Sequence, residues 1–265
     1  MNDKPSFYRP RMVVLDKDRH RDKAQLLSES RSIDAYVLLG EQGAGKTSAF
    51  EYESDNTSGG KYVKVRNLSL LTAVEVAGMT LFIDGLDERR AAAGDAHTPL
   101  DNIRQQLKAL GLPRFRISCR EADWLGESDV NAINFIATDG KTEVLHLLPL
   151  SEEDIQAILA DEGVPNPTAF VASASEYQLE AMLENPQTLK MLVRAVGDKW
   201  PKSRKEIYEK ACLVEAIEPN KGHQTASSTP APSTDLLLEA AGFLCATILL
   251  SGQEGVTRFP VSDRP

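Results

Sequence analysis

Cysteine is scarce in this chain. Only Cys119, Cys212 and Cys245 occur in 265 residues, and no two stand at metal-ligand spacing. That excludes a cysteine-built zinc site and a disulfide-stapled secreted scaffold, and suits reduced thiols in a cytoplasmic protein. The first residues are polar and lack the apolar stretch of a signal peptide. Long apolar runs are also missing. The most apolar segment, Leu236 to Leu250, contains Glu239 and is short for a bilayer. It reads as a buried helix, apolar enough to want a partner surface, and no membrane association is expected. Basic charge is in deficit, with 30 Lys and Arg against 39 Asp and Glu and a net charge of −9. With a pI near 5.1, this argues against nucleic acid as a general partner. Arg9, Arg11, Lys17, Arg19, His20, Arg21 and Lys23 crowd the N-terminal region, but Asp16, Asp18 and Asp22 interrupt them, so a solvated segment is expected. No internal repeat with a period of about twenty to fifty residues is present, which argues against a solenoid.

Against these absences stands one unbroken motif. Gly40-Glu41-Gln42-Gly43-Ala44-Gly45-Lys46-Thr47 fits the phosphate-binding pattern G-x-x-x-x-G-K-[ST] at every position. The apolar run Ala35 to Leu39 leads into it as a strand, and Ser48-Ala49-Phe50-Glu51 can open a helix after it. In such a loop, glycines let successive backbone N–H groups converge on phosphate oxygens, and the helix N-terminus adds partial positive charge. Gly40, Gln42, Gly43, Ala44, Gly45, Lys46, Thr47 and Ser48 are therefore candidate nucleotide-binding residues. Lys46 would reach the β- and γ-phosphates, and the Thr47 hydroxyl would ligate Mg²⁺.

A second apolar strand, Leu81-Phe82-Ile83, ends in Asp84-Gly85-Leu86-Asp87-Glu88. A nucleoside triphosphatase needs an acid at a strand tip near the phosphate loop, to hold Mg²⁺ directly or through water. Asp84 is that candidate. It also needs a carboxylate to orient or deprotonate the attacking water, for which Glu88 or Asp87 is placed. Lys61 to Val65 reads as a strand between the two motifs. Arg114 to Glu121 reads as another, with Ser118 and Arg120 near its carboxyl end, where open α/β sheets bind ligands. Both are placed to sense a γ-phosphate. Glu143 to Leu148 reads as a fifth strand.

Taken together, these residues resemble a NACHT-type P-loop NTPase of the STAND group, whose core is similar to that of AAA+ proteins. Asp84-Gly85-Leu86-Asp87-Glu88 reproduces the family's D-G-h-D-E, where h is apolar. Ser118-Cys119-Arg120 resembles its T-S-R sensor segment, with Cys119 as a departure. Asn185-Pro186-Gln187-Thr188-Leu189 resembles the N-P-L-x-L segment, which makes Pro186 a candidate contact for adenine. The resemblance covers roughly residues 34 to 215. It implies an ATP- or ADP-binding, slowly hydrolysing switch with Mg²⁺ as cofactor, acting in signalling or defence by self-association or through partner proteins. Family members place an effector on one side and a repeat-built sensor on the other. Neither is visible here, nor is the winged-helix histidine, for which His223 is a poor substitute. The sequence is expected to be a fragment. ATP is expected over GTP because no N-K-x-D motif occurs.

The expected fold class is α/β, a P-loop NTPase parallel sheet with flanking helices followed by an α-helical lid. The expected parts are an N-terminal segment at 1–33, the core at 34–150, the lid at 151–218, a flexible linker at 219–234 and a truncated helical region at 235–265. Ser151 is expected to cap a helix whose first turn is acidic, and Ser203 with Glu206 to form a capping box. Pro165 and Pro167 break the pattern, and Pro186 ends or restarts a helix. The linker is read from its Ser, Thr, Pro and Ala content. Two other readings remain open: a nucleotide-bound scaffold that does not turn over, and an AAA+ DNA-handling ATPase.

Overall fold

The computed structural model describes residues 9–18, 23–92, 97–216 and 232–252. His223 and almost all of the expected linker at 219–234 lie outside the described residues, as do Arg19, His20 and Arg21. Seven strands form one sheet in the order β2-β1-β7-β3-β6-β5-β4. They are β1 (Met12–Leu15), β2 (Gln25–Leu26), β3 (Ala35–Leu39), β4 (Gly60–Lys64), β5 (Thr80–Asp84), β6 (Arg114–Cys119) and β7 (Glu143–Leu147). From β7 to β4 all pairings are parallel; β1 joins β7 and β2 antiparallel. The expected α/β class is observed, and β6 separates the strands of the two motifs, as in the P-loop fold.

The central strands are apolar because both of their faces are covered. β3 and β5 have all five residues buried. On one face Val37, Leu39, Leu81, Ile83 and Ile117 pack with Leu100, Ile103 and Leu107. The last three recur at helical spacing on α3 (Thr98–Ala109). On the other face Tyr36, Leu38 and Phe82 meet Ala49 and Phe50 of α1 (Lys46–Asp55). Phe50 stands edge-on to both Tyr36 and Phe82, with ring centroids 6.4 and 5.5 Å away. The helix that begins at the phosphate loop is thereby clamped to the sheet one turn further on. Trp124 packs against the first of these clusters.

The N-terminal region departs from the expected solvated segment. β1 extends the sheet, Leu148 N–H donates to Met12 O at 2.9 Å, and the Arg11 side chain is buried. Short strand length and interrupted charge hid this. Val13 and Val14 are buried because β1 covers the β7 edge.

After β7 in the chain come α5 (Glu152–Asp161), α6 (Pro167–Glu176), α7 (Glu180–Leu183), α8 (Pro186–Val196), α9 (Arg204–Ala216) and α10 (Thr234–Ser251). Ser151 caps α5, with Asp154 N–H donating to its Oγ at 3.1 Å. Pro167 opens α6, and Pro186 opens α8 rather than ending its predecessor, as suits a residue whose missing N–H no helix start needs. At α9, Glu206 N–H reaches Ser203 Oγ at 3.2 Å, but the Glu206 carboxylate takes Lys202 N–H instead of closing the box on Ser203.

Two compact units divide inside α8, at Leu189/Lys190. The first holds the sheet and the helices through α7, so the expected core–lid boundary at residue 150 does not coincide with the division. In the second, α10 packs along α9. The segment 236–250 is helical as expected but not buried: no residue of α10 is, and Phe243, Leu249 and Leu250 are largely exposed. Its mean hydropathy of 1.6 over 18 residues makes it, by length and composition alone, the one helix among the described residues able to cross a membrane.

Phe50→Ala should lower stability by about 3–5 kcal/mol, the usual range for emptying a buried aromatic site. Chemical denaturation of the variant against wild type measures it.

Candidate functional site

The two motifs converge at the carboxyl end of the sheet. After β3 the chain turns through Gly40 to Gly45, with Gly43 at φ 75° and Gly45 at φ 90°. Space, too, requires glycine here. A Cβ on Gly43 would stand 2.4 Å from Gln187 Oε1 and 2.9 Å from Asn185 Oδ1, and one on Gly45 3.1 Å from Arg11 Nη1. Gly45 is the residue before α1, so the loop delivers Lys46, Thr47 and Ser48 onto the first turn of a helix.

The carbonyls of Gly40, Glu41, Gln42 and Ala44 are partnered. Lys46 Nζ donates to Gly40 O at 2.7 Å and Glu41 O at 2.8 Å. Asn185 Nδ2 donates to Gln42 O at 2.8 Å, and Arg11 donates through one nitrogen to Ala44 O and through the other to Leu148 O at 2.7 Å. Ala44 N–H closes a turn onto Glu41 O. A glycine-rich loop whose carbonyls are engaged in this way can turn its remaining amides toward an anion. Burial pushes the Lys46 ammonium below its ordinary value and Arg120 adds to this, while Asp87 works in the opposite direction.

Asp84, at the tip of β5, is 9% exposed and accepts three hydroxyls. Thr47 Oγ1 donates to Oδ2 at 2.8 Å, Tyr62 OH to the same oxygen at 3.0 Å, and Ser118 Oγ to Oδ1. Ser118 in turn accepts Gly85 N–H at 3.1 Å, fixing the backbone just past the acid. The first motif and the second thus meet through Thr47 and Asp84, 37 residues apart in sequence. Hard oxygen donors on a strand tip and a helix N-terminus suit Mg²⁺.

The other acids lie on α2 (Leu86–Ala92). Asp87 is buried and pairs with Arg120 Nε at 2.7 Å. Glu88 is exposed, and its carboxyl carbon lies 3.3 Å from where a Gly85 Cβ would stand. One turn on, Arg90 is buried in an ion pair with Asp129 of α4 (Glu127–Asn134) at 2.8 Å, and it also donates to Asp123 O. Asp129 accepts Leu125 N–H as well. So α2 is tied twice to the chain that leaves β6. Beside it, His146 at the end of β7 bridges Asp16 Oδ1 at 2.8 Å and Glu121 Oε1 at 3.2 Å. Burial pushes the Cys119 thiol up to about 12. In the sensor-like segment this cysteine is an inert filler beneath the site.

Of the residues singled out from the sequence, Gly40 to Ser48, Asp84, Asp87, Glu88, Ser118, Arg120 and Pro186 all fall around this one end of the sheet. Pro186 Cγ lies 3.8 Å from a Cβ placed on Gly45. Arg11 and Tyr62 were missed. Arg11 sits within a mixed charge cluster that conceals it. For Tyr62 the signal was present: strand alternation puts it on the same face as Asp84 of the neighbouring strand, in the register Tyr62↔Phe82 and Lys64↔Asp84.

No protein-family model and no curated protein matches the chain. Among solved structures it is similar to AMPPCP-bound DnaA from Aquifex aeolicus, at 15% identity and a TM-score of 0.43, covering 84% of this chain and 77% of that one. At that score the likeness bears no weight, and the assignment to the P-loop fold rests on the strand order and the loop geometry above.

Arg90→Ala leaves Asp129 buried without its guanidinium and should cost about 3–5 kcal/mol. Replacing both partners together, as Arg90→Met with Asp129→Leu, should recover most of that loss in thermal melts.

Proposed function

We propose that this chain binds ATP with Mg²⁺ and hydrolyses it slowly, and that its nucleotide state controls conformation and assembly. The supporting observation is the hydrogen bond from Thr47 to Asp84. With its proton given to that carboxylate, the Thr47 oxygen would offer a lone pair to a divalent cation held at the loop. The cation would neutralise phosphate charge and orient the terminal phosphate. Lys46 would leave the Gly40 and Glu41 carbonyls for the β- and γ-phosphates, drawn by charge that its present partners do not offer. The loop amides and the first turn of α1 would take the remaining phosphate oxygens.

Glu88, exposed on the first turn of α2, is the group assigned to orient and deprotonate the attacking water. Asp87 supports it by holding Arg120. The Arg120 side chain is 38% exposed, so it could turn from Asp87 toward a γ-phosphate and report on it. Asn185, Pro186 and Gln187 crowd the loop from the far side and would move with it. Such coupling is the basis for reading the protein as a NACHT- or STAND-like switch, cytoplasmic, in signalling or defence, with ATP preferred to GTP and self-association or a partner protein as its output.

A second reading is a nucleotide-bound scaffold without turnover. The Asp87–Arg120 ion pair favours it, because it occupies one of the two acids that hydrolysis could use.

Calorimetry with ATP and ADP, with phosphate release followed in parallel, separates the two. Lys46→Ala should lose most triphosphate affinity with an unchanged melting temperature. Glu88→Gln should keep binding and lose turnover by about 100-fold or more. Normal hydrolysis by Glu88→Gln would move the base to Asp87, and tight ADP binding with no turnover in the wild type would establish the scaffold.

A further inference from the structure

Tyr62 lies on β4, the outer strand of the sheet, and neither motif contains it. Its ring packs against the cluster that holds Phe50 and Phe82. Packing alone would be satisfied by phenylalanine. The hydroxyl instead reaches the end of the neighbouring strand and donates to Asp84 Oδ2 at 3.0 Å. Burial pushes the phenol well above its ordinary value, and the charge of Asp84 pushes it the same way.

An ionised carboxylate offers about four acceptor sites, two on each oxygen. Among the described residues, Thr47 and Tyr62 fill both sites on Oδ2, and Ser118 fills one on Oδ1. A single acceptor site remains, on Oδ1. Three hydroxyls arriving from α1, β4 and β6 leave the carboxylate no freedom to rotate. Partners of this kind set the orientation of a metal's ligand and hence its affinity.

We infer that Tyr62 is a positioning residue for the divalent cation: its hydroxyl, with those of Thr47 and Ser118, fixes Asp84 so that the remaining site on Oδ1 is available to the metal. This rests on the proposed binding of nucleotide with Mg²⁺ at the loop.

The test is a Mg²⁺ titration of ADP affinity on the full chain, comparing wild type with Tyr62→Phe. Affinity in EDTA and the melting temperature are recorded alongside. In Tyr62→Phe the Mg²⁺ concentration giving half of the affinity gain should rise by about 10-fold. ADP affinity in EDTA should stay near wild type; the melting temperature should fall by no more than the loss of one hydrogen bond to a charged group explains, since the ring is retained. An unchanged Mg²⁺ requirement in a wild type that responds to Mg²⁺ and depends on Lys46 overturns the role of Tyr62 alone. A fall in EDTA affinity parallel to the fall in Mg²⁺ affinity overturns it too, as the mark of a merely structural residue. A wild type that binds ADP with no response to Mg²⁺ overturns both this inference and the reading beneath it. If Tyr62→Phe does not fold, Ser118→Ala applies the same test from the Oδ1 side: a raised Mg²⁺ requirement supports the three-hydroxyl bracket, and an unchanged one overturns it.

Discussion

A buried carboxylate held by three hydroxyls organises this molecule. Removing an ionised Asp84 from water is expensive unless its oxygens are partnered, and the partners come from three separate elements. Thr47 belongs to the helix after the phosphate loop, Tyr62 to the outer strand, Ser118 to the strand between the two motifs. Satisfying one acid thus fixes the relative positions of α1, β4, β5 and β6 at the end of the sheet where chemistry is expected. The same bonds that stabilise the fold also preset the site.

The phosphate loop is held in a complementary way, from outside. Its carbonyls are engaged by Lys46, Asn185 and Arg11. Two of these three come from segments remote in sequence, one before the core and one 143 residues after the loop residue it contacts. A loop gripped at its back keeps its amide side shaped with little reorganisation, as preorganised anion sites require. Lys46 alone is internal to the loop, and it alone would have to change partners.

The central features were legible in the sequence because they are local. An unbroken eight-residue motif between an apolar run and a helix start leaves little freedom, and five strands were readable from apolar or alternating runs to within two residues. Caps at Ser151 and Ser203 were likewise local signals. What escaped depended on distant partners. β1 and β2 are too short for alternation to be convincing, and Arg11 looked solvated because it was read with the charged residues that follow it; its side chain is buried where it meets the Ala44 and Leu148 carbonyls. Tyr62 could have been found by combining strand alternation with a parallel register, but register is set by tertiary contacts. Helix α10 was read correctly as a helix and wrongly as buried, since composition measures how much a helix would gain by burial and not whether anything covers it.

The order of strands in the sheet carries a consequence for how the protein is made. β3, which leads into the phosphate loop, is flanked by β6 and β7, both encoded much later in the chain. In parallel register Ala35 waits for Phe115 and Tyr36 for Glu143. Such non-local pairings fold slowly, because a long loop must close before any contact rewards it. On the ribosome, then, a chain that has already exposed its complete phosphate motif has no strand beside β3 until about seventy further residues bring out β6, and no second one until about a hundred bring out β7, at the usual ~5–20 residues per second. Until β6 emerges, β3 is an apolar strand with two open edges, the kind of surface that invites wrong pairings.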